Sequence, residues 1–320
     1  MSLNQTITRS LKVSLLSAAV VASLMGCSEK VASEQEAAAP AAVETAVMSK
    51  VTGEKITGLK TPESAVQAKD GKIYVSEINE FGKDGDGQIS VINNAEVSVF
   101  TDGLDDPKGL VIIGDFLYVA DKTQILKINL ADASQKEVFV PATAFPKTPQ
   151  FLNDLEADPH GNLYVSDSGD ILGTGLGGVI YKITPNGEVT KLADGESSPL
   201  IKAPNGLLAD DTGAFLLVVD FTSGVLYNLN TKTGEVTDVA EGFGGGDGLV
   251  HHSSGTMYVS DWKNGKVFAV GLDGELTTVG PQYQAAADIA ITKDEHYLMV
   301  PDMKAGELDF IDLTKAGLTE

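Results

Sequence analysis

Glu63, Asn153, Asn205 and Asp247 each end in a hard oxygen donor, and each occupies the same place in a repeated pattern. Carboxylate and carboxamide oxygens suit Ca2+ first and Mg2+ or Mn2+ next. With no thiolate or imidazole beside them, a structural Zn2+ site is disfavoured. A single Asp or Asn at the start of a strand is ordinarily a turn or capping residue. Oxygens at four of six equivalent positions exceed what turn chemistry alone explains and suit a hard divalent cation, Ca2+ ahead of Mg2+, Mn2+ and Zn2+.

The pattern that carries them reads PESAV at Pro62–Val66, PKGLV at Pro107–Val111, LNDLE at Leu152–Glu156, PNGLL at Pro204–Leu208, GDGLV at Gly246–Val250 and ADIAI at Ala287–Ile291. The polar residues in phase are Glu63, Lys108, Asn153, Asn205, Asp247 and Asp288, at spacings of 45, 45, 52, 42 and 41 residues. About ten residues after each comes an apolar strand ending in an acid: KIYVSE, FLYVAD, NLYVSD, FLLVVD, TMYVSD and YLMVPD. A third strand follows in every copy. Repeats of roughly 40–50 residues built from four short strands predict a six-bladed β-propeller. The first strand of each blade lines the central channel, so equivalent residues should converge on one ring near its mouth.

Strand direction sets the walls of that mouth. Ser168–Gly178, Pro141–Leu152 and Glu80–Gly87 should open on its face, where a ligand pocket is expected. Lys108, Phe151, Asp288 and Trp262 are candidate pocket residues, Lys108 being the only cation on the axis. Trp262 can stack on a ligand or pack the rim. Asp167, Asp220 and Asp261 recur from blade to blade and read as turn-forming. His251 and His252 read as structural. Lys83–Gly87 looks like a fragment of a calcium loop but lacks the terminal Glu, and reads as a hairpin loop.

Several repeats end in a Gly-Glu-Val-Thr-type fourth strand, and the last repeat has none before Glu320. The missing piece stands at the other end, as Gly53-Glu54-Lys55-Ile56-Thr57. It is expected to pair as the outer strand of the final blade, closing the ring and removing two open edges.

Residues 1–26 are read as a signal segment. Arg9 and Lys12 precede an apolar run, Val13–Met25, too short for a stable spanning helix. Leu24-Met25-Gly26-Cys27 resembles a bacterial lipoprotein signal, with Cys27 as the lipidated residue. Cys27 is the only cysteine in the chain, so neither a disulfide nor thiolate chemistry is expected in the folded part. Ser28 after it resembles sorting to the outer membrane, facing the periplasm. Residues 27–50, rich in Ala and Glu, are expected to form a flexible tether, and 51–320 the propeller.

Without residues 1–26 the chain keeps 21 bases against 45 acids, a net charge of −24, and no arginine. That balance excludes nucleic acid as a partner. No Gly-rich loop opens a helix, so a nucleotide phosphate site is absent, and no Ser nucleophile with a matching base can be identified.

Glu63 in PESAV, Asn153 in FLNDLEADPHGNLYVSD, Asn205 in APNGLLADDTG and Asp247 in GDGLVHHSSGTMYVSD together resemble the metal-site motifs of the senescence-marker-protein (regucalcin)/gluconolactonase family. The resemblance runs from about residue 54 to 312. It implies one divalent cation on the axis and hydrolysis of lactone rings. Glu63, Asn205 and Asp247 would ligate the metal, Asn153 would ligate it or orient the substrate, and Asp247 would double as general base. Sugar-lactone members commonly carry an arginine where this chain has Phe151, which points to a less polar or smaller ring. The expected protein is a monomeric, lipid-anchored lactonase or esterase that touches the membrane only through Cys27. The alternative is a non-catalytic propeller that binds a protein or glycan in the cell envelope.

Overall fold

In the computed structural model, which describes residues 48–271 and 274–314, every repeat forms one four-stranded antiparallel sheet. The first blade runs Pro62–Gln67, Ile73–Glu77, Gly87–Asn93 and Glu96–Leu104, from the axis outward. The next four start with Pro107–Ile113, Leu152–Ala157, Pro204–Ala209 and Gly246–His251. The sixth is built of Ala290–Ile291, Tyr297–Asp302, Glu307–Asp312 and, outermost, Ile56–Thr57. Ile56 pairs with Leu308 and Thr57 with Glu307, so the N-terminal strand completes the last blade as expected. The predicted signal segment, Cys27 and the tether up to residue 47 lie outside the described residues. Ser49 and Lys50 already dock on the first blade, through Ser49 N–H to the Asp70 carbonyl and Lys50 N–H to Asn94 Oδ1.

The second strand of each blade reads as an unbroken apolar run because both of its faces are covered. Tyr74 faces the core between blades one and two, while Ile73 and Val75 face the core between blades six and one. Six such cores, each shared by neighbouring blades, hold the ring together. Outer strands such as Glu96–Leu104 are largely exposed.

A β-bulge interrupts the innermost strand of each of the first five blades. Pro62 pairs with Glu77 and Ala65 with Val75, which leaves one extra residue on the inner side. The same shift follows Pro107, Leu152, Pro204 and Gly246. An extra residue has an N–H with no ladder partner. In three blades a serine of the second strand accepts it: Ser64 N–H to Ser76 Oγ, Asp154 to Ser166 and Gly248 to Ser260, at 2.8–3.0 Å. This explains the serine in KIYVSE, NLYVSD and TMYVSD.

Candidate metal centre on the propeller axis

The second residue of each inner strand, just before the extra one, supplies the ring: Glu63, Lys108, Asn153, Asn205 and Asp247, all buried. The sixth position differs from the expectation. Ala286 bridges Asp302 as Pro62 pairs with Glu77, so Ala287 holds the ring position and Asp288 falls one residue later, level with Ser64 and Asp154. The polar residue in phase is Asp288 in sequence, whereas the ring position itself carries the apolar Ala287. Asp288 therefore lines a cavity of about 390 Å3 at the opposite end of the channel, with Asp154, Glu156 and aliphatic side chains such as Val66 and Leu208. It is not a residue of the predicted mouth pocket. His251 sits exposed at that same far end.

The strand-end acids set the height of the ring. Asp167 accepts the N–H groups of Gln150 and Phe151, Asp220 those of Lys202 and Ala203, and Asp302 those of Gln284 and Ala285. Each carboxylate thus clamps the backbone leading into the inner strand, a larger role than the turn-forming one expected. Asp220 also accepts the Thr222 and Ser223 N–H groups, so the turn reading holds beside it. One position further, a second backbone bond repeats in all six blades. Ile78, Lys122, Ser168, Phe221, Trp262 and Met303 donate N–H to the carbonyls of Thr61, Asp106, Phe151, Ala203, Gly245 and Ala285, each two residues before a ring position. These pairs form a tier on the mouth side of the ring.

Within the ring, Asn153 Nδ2 donates to Ser168 Oγ at 3.0 Å, and that hydroxyl donates to the Pro204 carbonyl at 2.7 Å. The amide is thereby fixed with its oxygen unpartnered. Glu63 Oε2, Asn153 Oδ1 and Asp247 Oδ1 are buried without a hydrogen-bond donor. Buried acceptors lacking partners are costly and rare in folded proteins. Burial first, then repulsion from Asp247 and Asp288, holds the Glu63 carboxyl well above its ordinary range. Burial and Asp288 do the same for Asp247.

Carboxylate and carboxamide oxygens are the donors a hard divalent cation takes. Two carboxylates and two carboxamides make a mixed set; among the described residues no cluster of three or more His, Cys, Asp and Glu side chains is arranged to hold a metal. Lys108 donates to the Asp106 carbonyl at 2.8 Å, and its Nζ stands 4.4 Å from the centre of the half-buried Phe151 ring. Burial lowers the Lys108 pKa, opposed by Glu63. Trp262 Nε1 lies 3.2 Å from Met303 Sδ, and Lys304 Nζ lies 4.0 Å from the Trp262 ring. Lys83, in the loop that resembled a calcium loop, pairs with Asp86 and Glu80 instead.

Fold and ring together define a six-bladed propeller with an oxygen-rich site on its axis. A family profile described as "SMP-30/Gluconolactonase/LRE-like region" matches residues 112–292. The chain belongs to that family. The matched span contains Asn153, Asn205 and Asp247; Glu63 and Lys108 precede it. No curated protein matches the chain in sequence. Among solved structures, the calcium-binding protein regucalcin from Agrobacterium tumefaciens strain C58 is 17% identical with a TM-score of 0.65, covering 80% of this chain and 90% of its own. A gluconolactonase from Xanthomonas campestris is likewise 17% identical with a TM-score of 0.65, over 80% of this chain and 88% of its own. A chain of a nidogen/laminin complex is 21% identical with a TM-score of 0.58, over 71% of this chain and 82% of its own. At these identities the likeness is one of fold.

Proposed function

We propose that the chain is a metal-dependent hydrolase of lactones or related esters, acting at the mouth of the propeller channel. The reading rests on the three donorless oxygens of Glu63, Asn153 and Asp247 in one buried ring. Together with Asn205 these residues would hold a divalent cation, Ca2+ first among the candidates. When bound, the cation supplies Lewis acidity toward an ester carbonyl and charge for the developing oxyanion.

The chain's own groups do the rest. Of the two Asp247 carboxylate oxygens, the donorless Oδ1 would face the cation and the other would take a proton from attacking water. Burial raises its basicity, which suits that task. Lys108 holds a cation beside Glu63, tethered at the Asp106 carbonyl and with ammonium hydrogens to spare for a substrate oxygen. A lipid on Cys27 would keep the protein on the periplasmic face of the envelope.

One observation favours the second reading, a propeller that binds a protein or glycan without catalysis. Leu172 and Leu176, in the mouth-side loop, are 80% and 52% exposed. The deciding experiment is a lactone and ester screen of the chain from Ser28, stripped by chelation and reloaded with Ca2+, Mg2+, Mn2+ or Zn2+ in turn. Metal-dependent ring opening supports the hydrolase. Silence toward every substrate with every metal would replace it with the binding protein.

A further inference from the structure

Ser168 opens the mouth-side loop Ser168–Gly178 and is fully buried, its hydroxyl lying between two residues of neighbouring blades. It accepts from Asn153 Nδ2 at 3.0 Å and donates to the Pro204 carbonyl at 2.7 Å. That carbonyl belongs to the peptide bond leading into Asn205, so the hydroxyl ties one ring residue to the backbone of the next. The Ser168 backbone is itself held, its N–H donating to the Phe151 carbonyl at 2.9 Å. The equivalent tier residues of the other blades, Ile78, Lys122, Phe221, Trp262 and Met303, carry no hydroxyl. Counting donors and acceptors gives this relay a direction. A carbonyl can only accept, and a hydroxyl has one proton to give. With that proton on the Pro204 carbonyl, Ser168 Oγ can only accept from Asn153. The amide NH2 is thereby drawn to the serine, and Oδ1 falls on the other side, buried and without a donor. A reversed amide would turn its acceptor to Ser168 and take the proton away from Pro204, losing that hydrogen bond.

Resting on the proposed cation, we infer that Ser168 is a positioning residue: it sets the amide polarity of Asn153, so that the oxygen rather than the NH2 faces the axis. An asparagine has nearly the same shape in both orientations, and only its oxygen can ligate a cation. The sense of the amide is therefore fixed by the Ser168 relay before any metal arrives. Donation from Nδ2 also draws negative charge toward Oδ1, as a hydrogen-bond partner behind a metal ligand does.

The test measures Ca2+ affinity by calorimetry on the chain from Ser28, stripped by chelation, for the parent, Ser168→Ala, Asn153→Asp and the double variant. Ser168→Ala should weaken Ca2+ binding about 10- to 100-fold. In Asn153→Asp the two side-chain oxygens are alike and no polarity needs setting, so adding Ser168→Ala there should cost little further affinity. Equal losses in both backgrounds would mean that Ser168 serves the fold alone, and no loss in the first would mean that the relay does nothing for the ring; either overturns the inference. If Ser168→Ala does not fold, Ser168→Cys, close in volume but with only a weak S–H donor and acceptor, is measured in its place against the same two outcomes. A second readout needs no metal. In NMR of the isotope-labelled protein the Asn153 NH2, identified by its loss in Asn153→Asp, should exchange slowly with solvent, and faster in Ser168→Ala. A protein that binds no Ca2+ yet shows this protection overturns the proposed cation and keeps the amide as assigned. Ca2+ binding with an unprotected Asn153 amide does the reverse.

Discussion

The backbone N–H of Asp288 donates to the carbonyl of Glu63 at 3.0 Å, joining the innermost strand of the last blade to that of the first. Across the same seam, Ser64 Oγ donates to Asp288 Oδ2 at 2.6 Å. The ring is thus sewn at the axis as well as at the rim, where Ile56 pairs with Leu308. Glu63, a residue of the axial ring, sits on the seam itself, so closing the propeller also brings Glu63 into the ring.

Removing the outer stitch should therefore weaken the whole ring. Ile56 is buried against a core that includes Leu308. Ile56→Ala is expected to lower stability by about 2 kcal/mol, the low end for a buried Ile at an edge. Urea denaturation reads this directly. A variant starting at Lys60 should also bare the edge of Glu307–Asp312 and self-associate, visible by gel filtration. An unchanged urea midpoint in Ile56→Ala would show that this strand does not close the propeller.

Asp247→Asn should separate binding from chemistry. It retains an oxygen of nearly the same shape but loses a charge and the capacity to accept a proton. Compared at saturating metal, turnover should fall by about two to four orders of magnitude. Parental turnover in the metal-bound variant would remove Asp247 from the role of base. Asn205→Asp is the converse change, expected to tighten Ca2+ binding in calorimetry by adding a carboxylate.

The pH dependence of the metal-free protein follows from Asp288 and Glu156, each raised to about 7, chiefly by burial. Their folded pKa values lie above the unfolded ones, so the native state binds more protons between pH of about 4 and 7. Stability should fall as pH rises through that window, by about 1.4 kcal/mol per pH unit for each group, and level off above it. Asp288→Asn should stabilise at pH 8 and not at pH 4, as read from denaturant midpoints. A gain of equal size at both pH values would reject burial of the charge as the cause.

Gly206 lies where two inner strands come too close for a side chain. A Cβ there would stand 2.2 Å from the carbonyl oxygen of Asp247. Gly206→Ala should cost about 1–3 kcal/mol by overpacking, and it should also weaken Ca2+ binding because Asp247 must shift. Calorimetry of a folded variant with unaltered Ca2+ affinity would contradict the second half.

Propeller class, blade number and the closing strand were all readable from the chain, because each blade repeats its apolar run and its terminal acid. The ring residues of the first five blades were readable for the same reason. Asp288 was not. A bulge inserts one residue between the first and fourth positions of the inner strand, and only pairing with Asp302 shows which side of it Asp288 occupies. Ser76, Ser166 and Ser260, which satisfy the bulge, were visible as repeated letters, but their partners lie across the sheet. Asp167 and Asp220 looked like turn residues because their other bonds, to backbone leading into the inner strand, arise only once that strand has folded back.

The strand Ile56–Thr57 also makes the native state a test of the chain's own integrity. Lys55 and Glu307, paired beside it at 2.9 Å, are 252 residues apart. Contacts of such span form late, after the local blades, since loop closure must precede any gain from them. A polypeptide interrupted before Glu307 lacks the partner of Ile56–Thr57, so the outer stitch of the last blade cannot form. Its unpaired sheet edges would be open to proteolysis and to mispairing with its neighbours. The molecule thus proofreads its own completion: only a full-length copy acquires a closed outline and, with the Asp288–Glu63 seam, a finished ring.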